Sequence, residues 1–297
     1  MAKLQIFTYE FSYINCPEDR GLFKELERVD VKESRLNKQK ILDDYLHYMA
    51  DEGVPFKKGK KEYKQIVVWQ EDGIWDLRIA NNKKQKIEHE FIKKKIPDNP
   101  SCAVFIDNRK DVQTIAIQKL TEAFYSPVAL SKIMMETFNL YLAQRRLKIT
   151  IAPRFDSHEF WKIVTNHPYK IKMVNFKFPF PNLPVISDLI GNILDTADDM
   201  NGAPRLSWEA NDDEVLTPHE GKDLLNRCVK ACAATGSEIK LKLTNGTNII
   251  CGENGSQERE INDEALSQEY DDLFDSKCQM ITDFLNSINL NTTIGNV

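Results

Sequence analysis

Glycine is scarce in this chain, 12 in 297 residues, and none stands in a GxxxxGK[ST] or, after a strand, a GxGxxG arrangement. The loops that turn backbone amides toward phosphates are therefore missing, which excludes P-loop nucleotide hydrolysis. No GxSxG elbow and no HExxH pair is present either, so neither the hydrolase nucleophile turn nor the helical zinc-protease site applies. Cysteine is equally sparse: six, at 16, 102, 228, 232, 251 and 278, too few and too irregular for a disulfide scaffold, so a reducing, cytoplasmic setting is expected. Cys228 and Cys232 lie four apart in KDLLNRCVKAC, where Leu224, Leu225 and Val229 share their helical face, and they read as small buried hydrophobes. The five histidines, at 47, 89, 158, 167 and 219, complete no ligand set with them, so neither a metal nor a cofactor is expected. No apolar run approaches the roughly 20 residues of a membrane helix, so no membrane span is expected. MAKLQIFTYEFSYI alternates rather than forming a continuous apolar block, and reads as a first strand and not a signal peptide.

What is present is an ordinary soluble composition, 41% hydrophobic and 29% charged, in a length suited to one large or two modest domains. The net charge of −5 conceals a division. Lys and Arg number 24 against 13 Asp and Glu over residues 56–180, but 8 against 21 over 181–297. The basic residues of the middle gather as Lys57, Lys58, Lys60, Lys61 and Lys64; as Lys83, Lys84 and Lys86; as Lys93, Lys94 and Lys95; and as Arg145, Arg146 and Lys148. Lysine clusters decorate solvated edges in many proteins. Gathered on one face they would instead meet phosphates, each contact releasing counterions. The acidic end could also dock on the basic middle, within a chain or across a dimer.

Local patterns set the elements. Residues 3–13 alternate as a strand; PEDRGLFKELERV and the stretch from Val31 to Gly53 read as helices, the second with Leu36, Ile41, Leu42, Tyr45, Leu46 and Met49 near helical spacing. YKQIVVWQ and IWDLRIA form a hairpin around Asp72-Gly73, KIEHEFI a further strand, and CAVFID with TIAIQK a second hairpin. Asp107 ends CAVFID, where a catalytic carboxylate could stand, but Asp and Asn at a turn bond nearby backbone amides and the turn is favoured. Ser126-Pro127 caps a helix with Ile133, Met134, Phe138, Tyr141 and Leu142 inward. LKITIAP is a strand, DSHEFWKIVTNH a helix capped by Asp156 or Ser157, and YKIKMVNFKFPF a strand of mixed faces. The prolines of PFPNLPV suggest a boundary, followed by an amphipathic VISDLIGNILDTADDM, then RLSWEA, a helix from Thr217 to Ala234, a hairpin EIKLKL-TNG-TNIICG, and one long acidic helix over 263–288. That terminal helix has a strong apolar stripe and must pack on something.

One chemical pattern competes. Glu238 and Lys240 on a strand, after Asp212, Asp213 and Asp223, match the Asp…Glu-x-Lys set by which many nucleases hold a divalent metal and a water. The same spacing makes a half-exposed amphipathic strand, with Ile239, Leu241 and Leu243 on the opposite face.

The hairpin around IWDLRI, the strands CAVFID and TIAIQK, the helix after SPVALSK, the strands LKITIA and YKIKMVNFKF, PVISDLIGNIL, a helix leading into EIKLKLTNG, and a final helix ending CQMITDFLNSI follow one another in an order that resembles the RexA-type phage-exclusion proteins and related prokaryotic defence-associated families. The likeness covers most of residues 60–290. It implies a non-enzymatic, homodimeric, DNA-associating component of a phage-defence or mobile-element module, working with a second protein of that module, and it supplies no catalytic residues. The acidic overall balance departs from that of a dedicated DNA binder and confines a DNA surface to the basic middle.

The expected fold is α+β: a largely antiparallel sheet built from hairpins with packed helices over residues 1–180, and a smaller acidic α+β part over 181–297 ending in a long helix. The expected function is binding of nucleic-acid backbone, double-stranded DNA above all, through the fourteen basic residues named above. A metal-dependent nuclease subunit using Glu238 and Lys240, and an oligomerisation or protein-interaction subunit built on the terminal helix, are the alternatives.

Overall fold

The alternating N-terminal stretch becomes β1 (Ala2–Tyr13), buried from Leu4 through Phe11. A strand closed off on both faces belongs inside a sheet rather than at its edge. The computed structural model describes residues 1–14, 34, 36–89, 92–110, 112–178, 204–252, 256–267 and 274–290. They form an α+β fold whose named strand pairings are antiparallel. After β1 come α1 (Lys38–Asp51), β2 (Phe56–Lys58), β3 (Lys61–Tyr63), β4 (Gln65–Glu71), β5 (Ile74–Ala80), β6 (Lys83–His89), β7 (Ile92–Asp98), β8 (Ser101–Asp107), β9 (Thr114–Gln118), α2 (Pro127–Leu142) and β10 (Leu147–Pro153). The chain continues through α3 (Ser157–Asn166), β11 (Ile171–Lys177), β12 (Arg205–Glu209), α4 (Asp223–Thr235), β13 (Glu238–Leu243), β14 (Asn248–Ile250), β15 (Glu258–Ile261) and α5 (Phe274–Leu290). Among the described residues no helix is long and apolar enough to cross a membrane.

Two compact units divide the chain. The first comprises Met1–Gln5, Tyr13–Ile149 and Arg259–Asn286, the second Ile6–Ser12, Thr150–Glu258 and Ser287–Val297. β11, which precedes the expected division near residue 180, lies between β12 and β13 in one sheet. The proline-rich stretch of that expected boundary, the amphipathic helix after it and the helix at PEDRGLFKELERV lie outside the described residues.

The main sheet runs β10-β1-β9-β8-β5-β4, with β15 pairing β1 off that path, and its strands β9, β8, β5 and β4 belong wholly to the first unit. Asp72 (φ 48°) and Gly73 (φ 78°) both lie in the left-handed region. That is the type I′ turn whose twist matches its flanking strands, as the Asp-Gly pair predicts. Ser126 accepts the Ala129 N–H at 3.2 Å and Pro127 takes the first position of α2, as expected. Ile133, Met134, Phe138 and Leu142 are buried there, while Tyr141 is half-buried. Along β5 the residues alternate: Trp75 donates its indole N–H to Asp43 Oδ1 of α1 at 2.7 Å, whereas Asp76 and Arg78 share the opposite face. Asp76 pairs in register with Phe105, whose ring lies 6.3 Å from that of Phe284 in α5. α5 therefore sets its apolar stripe, with Ile281 and Leu285 buried, on this face of its own unit.

In the second unit the order is β12-β11-β13-β14, with a core of Phe160 from α3, Val229 and Cys232 from α4, and Val174, Phe176, Ile239 and Leu241 from the sheet. The mixed faces of β11 have a cause. Its register against β13 shifts between Ile171 and Met173, so Ile171 joins Val174 and Phe176 in the core instead of sharing a face with Met173.

Three helix expectations are corrected. Leu36 stands 86% exposed ahead of α1 and takes no part in its buried stripe. α4 begins at Asp223, not Thr217, with Pro218, Glu220 and Gly221 in non-helical chain before it. The terminal helix does not run unbroken from Asp263: Asp263–Leu266 is a 3-10 turn ended by extended Ser267, and α5 spans Phe274–Leu290.

Candidate nucleic-acid interface

The first lysine cluster is carried by the β2–β3 hairpin, which stands apart from the main sheet. Phe56 and Tyr63 face each other in register and are buried, Phe56 against Phe138 at 5.6 Å and Tyr63 against Phe124 at 5.7 Å. These aromatics anchor the ribbon, and the lysines between them are left for solvent. The backbone is clamped onto α2: the Lys57 N–H donates to Thr137 Oγ1 at 2.7 Å, the Thr137 hydroxyl donates to the Lys57 carbonyl at 3.1 Å, and the Gly59 N–H donates to Glu136 Oε1 at 3.0 Å. Lys58, Lys60, Lys61 and Lys64 are exposed; Lys57 is half-buried, its ammonium 3.0 Å from Glu62. Lys58 and Lys61 stand directly opposite one another. Like charges so placed repel and disfavour the hairpin, so its aromatic anchors hold the pair together.

The second and third clusters share a single element. β6 and β7 form a separate two-stranded ribbon with Lys86 opposite Lys95, Glu88 opposite Lys93, Lys84 opposite Pro97 and Ile87 opposite Lys94. The ribbon's root adjoins the first hairpin. Lys61 Nζ donates to Asn81 Oδ1 at 2.8 Å, and that asparagine, buried at the start of the ribbon, donates its backbone N–H to Pro100 and its side-chain amide to Ala123. Lys83 at the first ribbon position donates its ammonium to the Glu122 carbonyl. Lysines 19 residues apart in sequence, Lys64 and Lys83, thus flank one root: Lys64 accepts the Ala80 N–H at 2.8 Å.

The fourth cluster is not drawn into that root. Arg145 and Arg146 occupy the 3-10 turn after α2 and its left-handed end, and Lys148 follows on β10. Arg145 is eight residues beyond Thr137, about 12 Å at helical rise. Arg145 and Lys148 are exposed and Arg146 is half-buried.

Asp107 is a structural group. It is fully buried, with Arg109 Nε and Nη2 at 2.9 and 2.6 Å from its two oxygens and the Arg109 backbone N–H at 3.3 Å. The hydrogen bonds to Asp107 raise the Arg109 guanidinium further above its already high pKa. Arg109 Nη2 also reaches Asn286 Oδ1 at 2.8 Å, so the turn after β8 is tied to α5. The Gln39 amide donates to the Arg109 carbonyl at 3.0 Å and the Asn108 amide donates to the Gln39 carbonyl at 2.8 Å, which ties the same turn to α1. The neighbouring strand carries a second Asp-x-Arg pair, Asp76 with Arg78, both buried. Burial pushes the Asp76 carboxyl up from 3.8 to about 6, against the smaller lowering by Arg78. Neither pair stands out by sequence except as a repeated Asp-x-Arg: on β5 the i,i+2 spacing puts Asp76 and Arg78 on one face, whereas Arg109 lies in the turn beyond the end of β8 and folds back onto Asp107.

The remaining singled-out residues have local partners. Glu238 is exposed and stands opposite Lys177, and among the described residues no group of three His, Cys, Asp or Glu is placed to hold a metal ion. Cys228 and Cys232 sit in the second unit's core as the sequence indicates, and burial pushes the Cys228 thiol up to about 11. His158 contacts the capping Asp156 at 2.7 Å, and His167 Nδ1 lies 2.9 Å from the Ile163 carbonyl. No family model matches the chain, and no curated protein matches it.

Proposed function

We propose that this protein binds the backbone of double-stranded DNA, without catalysis and without reading base sequence, as a component of a phage-defence or mobile-element module. The observation that carries the reading is the shared root at Asn81, where the hairpin of Lys57–Lys64 and the ribbon that begins at Lys83 meet. Cations gathered from separate stretches of chain add their fields at one surface, and a polyanion gains from each of them at once. The ordered layout shared with RexA-type phage-exclusion proteins supplies the biological setting, and with it a homodimer acting alongside a second protein of the module.

Mobility-shift titrations of the full chain on a random-sequence duplex, at 50 to 200 mM salt, test the reading. With about six phosphates neutralised, affinity falls on the order of 1,000-fold over that range and the logarithmic slope is about −5. Unrelated duplex sequences bind equally. Absence of binding at 50 mM salt, or binding indifferent to salt, rejects the proposal.

A further inference from the structure

The β6–β7 ribbon carries an uneven charge that its register makes explicit. Cross-strand partners share a face and successive residues alternate. Lys84, Lys86, Lys93 and Lys95 therefore fall together on one face, with Glu88 and Pro97, while Gln85, Ile87, Lys94 and Ile96 fall on the other. Four lysines against one glutamate on a ribbon that joins no larger sheet among the described residues make an arrangement that is poor in isolation: a lone hairpin is marginal in water, and Lys86 directly opposite Lys95 weakens it further. A polyanion turns the repulsion into attraction.

Resting on the DNA-binding reading, we propose that the β6–β7 ribbon is an arm that enters the major groove of B-form DNA, its four-lysine face against the phosphates that line the groove. The dimensions agree. Two strands lie about 4.8 Å apart and seven residues extend roughly 23 Å, and a groove about 12 Å wide admits a two-stranded ribbon. The deep, narrow major groove of A-form RNA does not.

The test replaces Lys84, Lys86, Lys93 and Lys95 by Gln in the full chain, with an all-Arg version of the same four positions as the charge-preserving partner. Affinity for a random duplex falls at least 100-fold in the Gln variant and its salt slope flattens by about 3 to 4. The all-Arg variant keeps both. Dimethyl sulfate footprinting reads the groove, because guanine N7 lies in the major groove and adenine N3 in the minor: the wild type shields N7, and the Gln variant does not. Removing the Lys86–Lys95 repulsion leaves the melting temperature equal or higher, which separates lost contact from lost fold. If the wild type binds but the Gln variant matches it in affinity and slope, or if adenine N3 is shielded and N7 is not, the arm is rejected and backbone binding elsewhere stands. If the wild type does not bind duplex at all, both fall.

Discussion

At the scale of single residues the strongest constraints are the two Asp-x-Arg pairs under α5. Asp76 carries a pH signature. Its carboxyl titrates at about 6 when folded against 3.8 ordinarily, so between those values the native chain holds the proton more tightly than the unfolded one. Its contribution to stability is complete below about pH 4 and is lost as pH rises through 6, on the order of 3 kcal/mol in all. Asp76→Asn is destabilised at pH 7, because Arg78 stays buried with its charge uncompensated. The variant nonetheless lacks the wild type's decline between pH 4 and 6, which urea midpoints at intervals across that window would reveal. Asp107→Ala removes the carboxylate that Arg109 grips and, with the guanidinium left 30% exposed, costs about 2–3 kcal/mol by denaturant titration. DNA affinity of the folded fraction is unchanged, since Asp107 is fully buried.

At the scale of elements, local chemistry decided what was readable. Asp72-Gly73, Ser126-Pro127 and Asp156 announced their turn and caps because each works through its own backbone within three residues. Elements whose limits depend on distant packing were not readable: Leu36 continues a helical spacing yet stands exposed, and extended Ser267 breaks an acidic pattern that looks continuous. The ribbon partner of KIEHEFI was hidden because IKKKIP reads as a charge run; only the pairing shows that two lysine clusters belong to one element. The clusters themselves were legible as composition, but the proximity of Lys61 to Asn81 was not, since neither residue signals the other along the chain. Gly236 is a sharper case. It ends α4 at φ 69°, and a Cβ there would lie 2.8 Å from the Pro153 carbonyl oxygen. Gly236→Ala therefore combines left-handed strain with a backbone clash and lowers stability by more than about 2 kcal/mol in thermal or urea unfolding. Ser126→Ala, which removes only the α2 cap, costs about 1 kcal/mol in the same assay.

At the scale of the molecule, the division of charge along the sequence does not coincide with the division of the fold. The basic stretch up to Ile149 and the acidic return from Arg259 to Asn286 belong to one compact unit. The return is secured by the ring contact of Phe284 with Phe105 and the bond from Arg109 to Asn286, as well as by surface pairs such as Lys3 with Glu260 at 3.9 Å. Truncation before Phe274 uncovers Asp76, Arg78 and Phe105 together. Hydrogen exchange would show amide protection lost first along β5 and β8, while α4 and β13 keep theirs.

The bond from Arg109 to Asn286 joins positions 177 apart in sequence, so the helix that covers β5 and β8 is reached only after a long loop of chain has closed. Until it closes, the carboxylates of Asp76 and Asp107 stay wet. A proteolytic nick between the two positions turns that closure into an encounter of separate fragments, and refolding of the unit becomes dependent on concentration.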